Sequence, residues 1–220
     1  MGKQLSIISK LHTKTKRDYI ERMLDEKVAC MNKAKEYNYD FWDGDRKYGY
    51  GGYHYDGRWK IVAEEIIKTY QLPKDAKILD VGCGKAHLLY ELKRLLPESD
   101  IFGFDISNYA INNAKDEIKT ELFNYDAQAP YPFGDDYFDF VFSIMTLHNL
   151  KIFGLKTALQ EMDRVGKKKY IAVESYRNSQ ELFNLQCWAL TCESFFSPEE
   201  WIWIMHEYHY HGDFEFIYFE

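Results

Sequence analysis

No apolar run in this chain approaches the roughly 18 residues that a membrane-spanning helix requires, so no membrane partner is expected. Cysteine is scarce: Cys30, Cys83, Cys187 and Cys192 form no Cys-x-x-Cys pair and follow no secretory signal, which fits free thiols in a reducing cytoplasm. Positive charge is short as well, with 28 Lys and Arg against 35 Asp and Glu and a net charge of −7. A duplex nucleic-acid binder needs a basic face to displace counterions from phosphates, so nucleic acid is disfavoured as a partner. The local exception is the basic first helix carrying Lys3, Lys10, Lys14, Lys16 and Arg17, which reads as a solvated face. Repeats and low-complexity stretches are absent. No metal is expected either: of His206, His209 and His211, only the first two stand at helical ligand spacing.

What the chain has is length for one α/β domain plus a short extra segment, and many aromatics: 18 Tyr, 15 Phe and 5 Trp in 220 residues. Such a surplus suits a core and equally a binding cleft with polar tips. Residues 4 to 36 read as helix, with Ile7, Leu11, Tyr19, Met23 and Met31 as its apolar face. The Tyr/Gly/Asp-rich stretch from Tyr37 to Arg58 holds too many glycines for a regular helix and is expected to be an ordered loop or a mobile lid. From Trp59 onward, helical spacing alternates with short apolar runs at 77–81, 101–104, 121–125, 137–143, 170–174 and 214–219. This alternation predicts a Rossmann-like α/β sandwich around a mostly parallel, seven-stranded sheet, parallel except near the C-terminal strand. The stretch around Tyr210 leaves the strand count open. Residues 1–58 are expected to form an N-terminal helical cap and lid, and residues 59–220 the core.

The sharpest local signal follows the first core strand: Asp80-Val81-Gly82-Cys83-Gly84-Lys85-Ala86-His87. Glycines here let backbone approach a ligand where a side chain would collide. A dinucleotide fingerprint would want a small residue where His87 stands, and no Gly-Lys-Ser/Thr completes a nucleoside-triphosphate loop. Asp105 lies 21 residues past Gly84, at the tip of the second strand.

Ile78–Gly84 resembles the first motif of class I S-adenosylmethionine-dependent methyltransferases, with Ala86 in place of the usual third glycine. Phe102–Ser107, Asn124–Ala127 and Phe138–Ser143 resemble the second, third and fourth motifs in order, so about a third of the chain carries the likeness. The resemblance implies S-adenosyl-L-methionine as cofactor and S-adenosylhomocysteine as product. It implies contacts from Asp80, Gly82, Cys83, Gly84, Asp105, Ile106, Asp126 (to the adenine amino group), Ala127 and Ser143. The Tyr48–Trp59 block looks, more loosely, like one in small-molecule methyltransferases, some near surface-polysaccharide genes.

Methyl transfer to a hydroxyl or protonated amine needs a base. His148, after the fourth strand, and Glu174, at the end of the fifth, are the two candidates. Arg58 suits a two-toothed contact with the cofactor carboxylate. Tyr48, Tyr50, Tyr53 and His54, with Tyr176 and Arg177, are the candidate acceptor contacts, and tyrosine faces would also stabilise a sulfonium. The expected activity is methyl transfer to O or N of a small polar metabolite, such as a sugar or phosphate-bearing precursor of surface polysaccharide. The alternatives are an RNA or protein methyltransferase, or a non-catalytic subunit that keeps the fold. The aromatic-rich ends would suit a homodimer interface, which the sequence leaves open.

Overall fold

Lys77–Val81 (β1), Asp100–Asp105 (β2), Leu122–Asn124 (β3), Phe138–Ile144 (β4), Gly166–Glu174 (β5) and Asp213–Ile217 (β6) hydrogen-bond in the order β3-β2-β1-β4-β5-β6. The computed structural model describes residues 2–12 and 17–220, with only the backbone of Lys10. All five strand pairs are parallel. The strands are apolar on both faces because helices cover both, as buried parallel strands require. Ile78, Phe140, Phe142 and Tyr170 pack beneath Lys60–Tyr70 (α5) and His87–Leu95 (α6). Leu79, Val141, Ile171 and Phe214 pack beneath Ile152–Val165 (α8) and Pro198–Glu207 (α10).

Two expectations change. The described residues form six strands rather than seven, and the last is parallel, not antiparallel. The residues around Tyr210 serve a turn: His209 takes a left-handed φ of 58°, and the buried Tyr210 donates its hydroxyl to the Asp213 carbonyl. With α10 crossing over before this turn, β6 must enter the sheet in the same direction as β5.

The helix expected over residues 4–36 is broken into Ser9–His12 (α1), Tyr19–Leu24 (α2) and Lys27–Ala34 (α3). Gln4 pairs with Phe214 as a short extension of the sheet. Asp18 caps α2 by accepting the Glu21 N–H at 2.9 Å, and Glu26 turns left-handed (φ 42°) before α3. Of the predicted basic face, Lys14 and Lys16 lie outside the described residues. The Tyr/Gly segment contains one turn of helix, Tyr39–Trp42 (α4), and a tight turn at Arg46–Tyr48. Asn108–Asn112 (α7) and Ser179–Trp188 (α9) complete the helices used below. Strand order reverses between β1 and β4, so their carboxyl ends flank the crevice where open α/β sheets bind ligands.

Beyond the backbone pairing at Gln4, one buried side chain gathers the next residues of the N-terminal segment. Glu215, 1% exposed on β6, accepts the N–H groups of Ile7 (2.6 Å), Ile8 (3.0 Å) and Ser9 (2.6 Å), and the Tyr170 hydroxyl. Glu215→Ala strips the acceptor from four donors at once and is expected to destabilise the protein by about 3–5 kcal/mol. Urea denaturation measures this, and a loss below about 1 kcal/mol would contradict the assigned role.

Candidate active site

The chain leaves β1 in a turn that only glycines allow. Gly82 and Gly84 have φ of 78° and 54°, and a Cβ would lie 2.2 Å from Thr146 in the first case and 2.6 Å from Trp42 in the second. Ala86 stands where a third glycine was expected and keeps the left-handed backbone of one, at φ 54°. The Gly82 and Cys83 N–H groups donate to the Phe104 carbonyl at 2.9 and 3.0 Å, tying the turn to β2. Asp105 completes the brace: Oδ2 accepts the Gly84 N–H at 2.8 Å and Oδ1 the Ser107 N–H at 2.7 Å. Burial raises its pKa, and those two hydrogen bonds hold part of the rise back. Each oxygen keeps a second acceptor position, which a ribose hydroxyl can fill.

This turn opens into a cavity of about 610 Å³. The expected cofactor residues Asp80, Gly82, Cys83, Gly84, Asp105, Ile106, Asp126 and Ala127 line it. Asp80 is 5% exposed, and no donor among the described residues reaches its carboxyl group. Burial first, and the charge of Asp105 second, push its pKa well above the carboxylate range. An acid so placed is suited to a cationic ligand. Asp126 accepts the Gln128 N–H at 2.9 Å through Oδ1, while its Oδ2 accepts from none of the described residues. Arg58 also borders the cavity, but its guanidinium is exposed and ion-paired with Asp56 at 2.5 Å. Ser143 does not reach the wall: it is fully buried and donates to the Val81 carbonyl at 2.8 Å, joining β4 to β1.

Tyr50, Tyr53 and His54 line the cavity, whereas Tyr48, Tyr176 and Arg177 do not. Tyr48 packs beside Cys30 and Leu190, and Tyr176 beside Leu185 and Phe219. Arg177 is committed to Glu181 and Glu220 over the ring of Tyr218. The two candidate bases meet. Glu174 lines the cavity; His148, 3% exposed, lies behind it with Nε2 at 3.4 Å from Glu174 Oε2. The Glu174 N–H donates to His148 Nδ1 at 3.2 Å, which puts the histidine proton on Nε2, toward the acid. Burial drives both to their neutral forms, lowering His148 to about 3 and raising Glu174 to about 8 against the opposing pull of Arg17 and Lys27.

Several cavity residues carry no motif in the sequence. Trp42 lies on the glycine turn, donates Nε1 to Ser107 Oγ at 2.9 Å and stacks on Tyr50 at 5.3 Å. Beneath it, Lys85 and Asp43 form a buried ion pair at 2.6 Å, and Lys85 also donates to the Tyr53 carbonyl at 3.0 Å. Burial works against the Asp43 carboxylate, but Lys85, Tyr109 and the Tyr53 N–H outweigh it and hold its pKa below the usual range. Lys85 stood within the glycine motif and could have been singled out as a polar group bound for the interior. Arg22, Arg46 and Trp188, which also line the cavity, left no sequence signal, and Arg17, read in the sequence as part of a solvated basic face, lines the cavity beside them.

Similarity to known proteins agrees with this geometry. Among curated proteins, the demethylmenaquinone methyltransferase of Staphylococcus carnosus is 31% identical over 119 residues, covering 52% of this chain and 48% of that protein. The malonyl-[acyl-carrier protein] O-methyltransferase of Legionella pneumophila is 32% identical over 112 residues, covering 48% and 38%. The chain thus spans about half or less of the length of these relatives. Among solved structures, geranyl diphosphate C-methyltransferase of Streptomyces coelicolor superposes with a TM-score of 0.53, covering 66% of this chain and 59% of that one; at 12% identity the likeness is one of fold. The profile of the methyltransferase domain matches residues 72–210, from just before β1 to the turn before β6. With that match spanning more than half its length, and with the class I sheet and glycine turn in place, the chain belongs to the methyltransferase domain family.

Proposed function

We propose that this chain transfers the methyl group of S-adenosyl-L-methionine to an oxygen or nitrogen of a small polar metabolite, releasing S-adenosylhomocysteine, with Glu174 as the base. The observation that carries the reading is one continuous cavity that contains both Asp80, which has no donor among the described residues, beside the glycine turn and the neutralised Glu174. Asp105 would hold the ribose hydroxyls, Asp126 the adenine amino group and Asp80 the cofactor's ammonium. Arg58 would meet the carboxylate only by leaving Asp56. The cofactor, when bound, supplies a methyl group already activated on a sulfonium, so the protein's contribution is alignment, exclusion of water and removal of a proton. Tyr50, stacked on Trp42, and Tyr53, packed against both, would shield the cleft and face the positive charge. A cap over residues 1–58, closing on a core over 59–220, belongs to this proposal, as does a cytoplasmic place for the enzyme.

Glu174 is preferred over His148 because it borders the cavity, whereas His148 touches only its rear and stays neutral down to about pH 3. His148 then acts as a positioning residue, holding the Glu174 carboxyl through Nε2. An RNA or protein acceptor is disfavoured by the roofed cavity, and a non-catalytic subunit by the intact set of Asp80, Asp105 and Asp126.

Asp80→Asn keeps the shape but removes the charge, and is expected to weaken S-adenosylmethionine binding about 10- to 100-fold by calorimetric titration, the worth of one charge-assisted hydrogen bond. An unchanged affinity would remove Asp80 from the site. For Glu174 the sign is set by its raised pKa: the reactive, deprotonated form gains population as pH rises through about 8. Once an acceptor is identified, kcat/KM should climb about tenfold per pH unit below that value and level off above it. Glu174→Gln should lose about 10²–10⁴-fold in rate together with the pH dependence. A flat profile from pH 6 to 9 in the wild type would exclude Glu174 as the base.

A further inference from the structure

A second set of charges occupies the cavity wall beyond Glu174. Arg17, Arg22 and Arg46 come from the segment before α2, from α2 itself and from the Tyr/Gly segment, and all three converge on one ring. Their guanidinium carbons stand 5.4, 5.0 and 4.9 Å from the centre of Trp188, at the end of α9. No two are therefore more than about 10 Å apart, and all four residues line the cavity. Arg22 donates to the Arg46 carbonyl and Arg46 to the Gly49 carbonyl, both neutral acceptors. Among the described residues neither has a carboxylate within ion-pair distance, and the buried Nε of Arg22 has no acceptor. Burial, and then the charge of Arg46, push Arg22 down to about 10, with Cys30 and Asp25 offsetting part of this. Burial lowers Arg46 as well.

Three guanidinium groups gathered around one indole ring repel one another, and the cation–π contacts recover only part of that cost. An anion placed between Arg22 and Arg46, neither of which has a carboxylate at ion-pair distance among the described residues, offsets that repulsion. A carboxylate is satisfied by one forked arginine. A phosphate monoester, with about −1.5 to −2 charges and three terminal oxygens, matches three donors arriving from different segments. Resting on the reading of this cavity as a methyl-transfer site, we propose that Arg17, Arg22, Arg46 and Trp188 form a subsite for a phosphoryl group on the methyl acceptor. Glu174 faces the same part of the cavity, close enough for Arg17 and Lys27 to influence its charge. The acceptor's phosphoryl end would thus be anchored beside the base, leaving the group to be methylated between Glu174 and the glycine turn.

The test is calorimetric titration of the S-adenosylhomocysteine-saturated protein with inorganic phosphate, and separately with acetate, at matched ionic strength. Phosphate should bind at least tenfold more tightly than acetate. Arg22→Gln and Arg46→Gln should each weaken phosphate at least tenfold while S-adenosylhomocysteine affinity stays within twofold, which also reports that the variants fold. Arg46→Lys, which restores a charge without the fork, should recover part of the loss. Phosphate binding that is absent, no tighter than acetate, or unaffected in both glutamine variants would overturn the subsite while leaving the methyl-transfer reading intact. Failure of the wild type to bind S-adenosylhomocysteine would instead overturn that underlying reading, and in that case phosphate binding to the cofactor-free protein decides the subsite on the same criteria.

Discussion

The carboxylate of Asp105 accepts the Gly84 N–H with one oxygen and the Ser107 N–H with the other, so one buried group fixes both the turn after β1 and the start of α7. The rest of the carboxyl edge is built outward from this brace. With Gly84 held, its missing side chain leaves the space into which Trp42 settles, and Trp42 in turn donates to Ser107. Tyr50 stacks on Trp42 and Tyr53 packs against both at a tilt, while Lys85 reaches up from the same turn to Asp43 and the Tyr53 carbonyl. A segment with too many glycines for a helix is thereby ordered over the cavity by aromatic stacking and one buried ion pair.

Charge within the cavity is segregated. Asp80, Asp105 and Asp126 gather around the glycine turn, and Arg17, Arg22 and Arg46 gather around Trp188. Glu174 is drawn down by Arg17 and Lys27 but raised further by burial, so it titrates in a range useful to a base. Tyr50 feels both groups: the charges of Glu174 and Asp105 raise its hydroxyl pKa beyond what burial does, and Arg46 opposes them. An acidic end suits a cationic sulfonium cofactor, and a basic end suits an acceptor of opposite sign.

Much of the sheet and the cofactor end was legible in the sequence because both are local. Each parallel strand is one continuous apolar run, and the turn is written in adjacent residues from Asp80 to Gly84. Legibility fails where a single distant side chain overrides local preference. Residues 4–8 stay out of the helix expected over 4–36 because Glu215, more than 200 residues away, collects the N–H groups of Ile7, Ile8 and Ser9. The direction of the last strand is not written locally: the short stretch at Tyr210 fits strand or turn by pattern alone, and as a turn it lets β6 lie parallel to β5. His148 and Glu174 both stood at the correct edge, but only the fold distinguishes the one in the wall from the one behind it. The arginines around Trp188 come from three segments, and no spacing rule connects them.

The claim on which the others depend is that this cavity, braced by Asp105 and roofed by Trp42, receives the cofactor. Titrating S-adenosylhomocysteine into the wild-type protein, over a range of temperatures, tests it most directly. The account predicts one site per chain with micromolar affinity and a negative heat-capacity change as ligand and aromatic roof bury apolar surface. Folded protein that gives no binding at any temperature would contradict it.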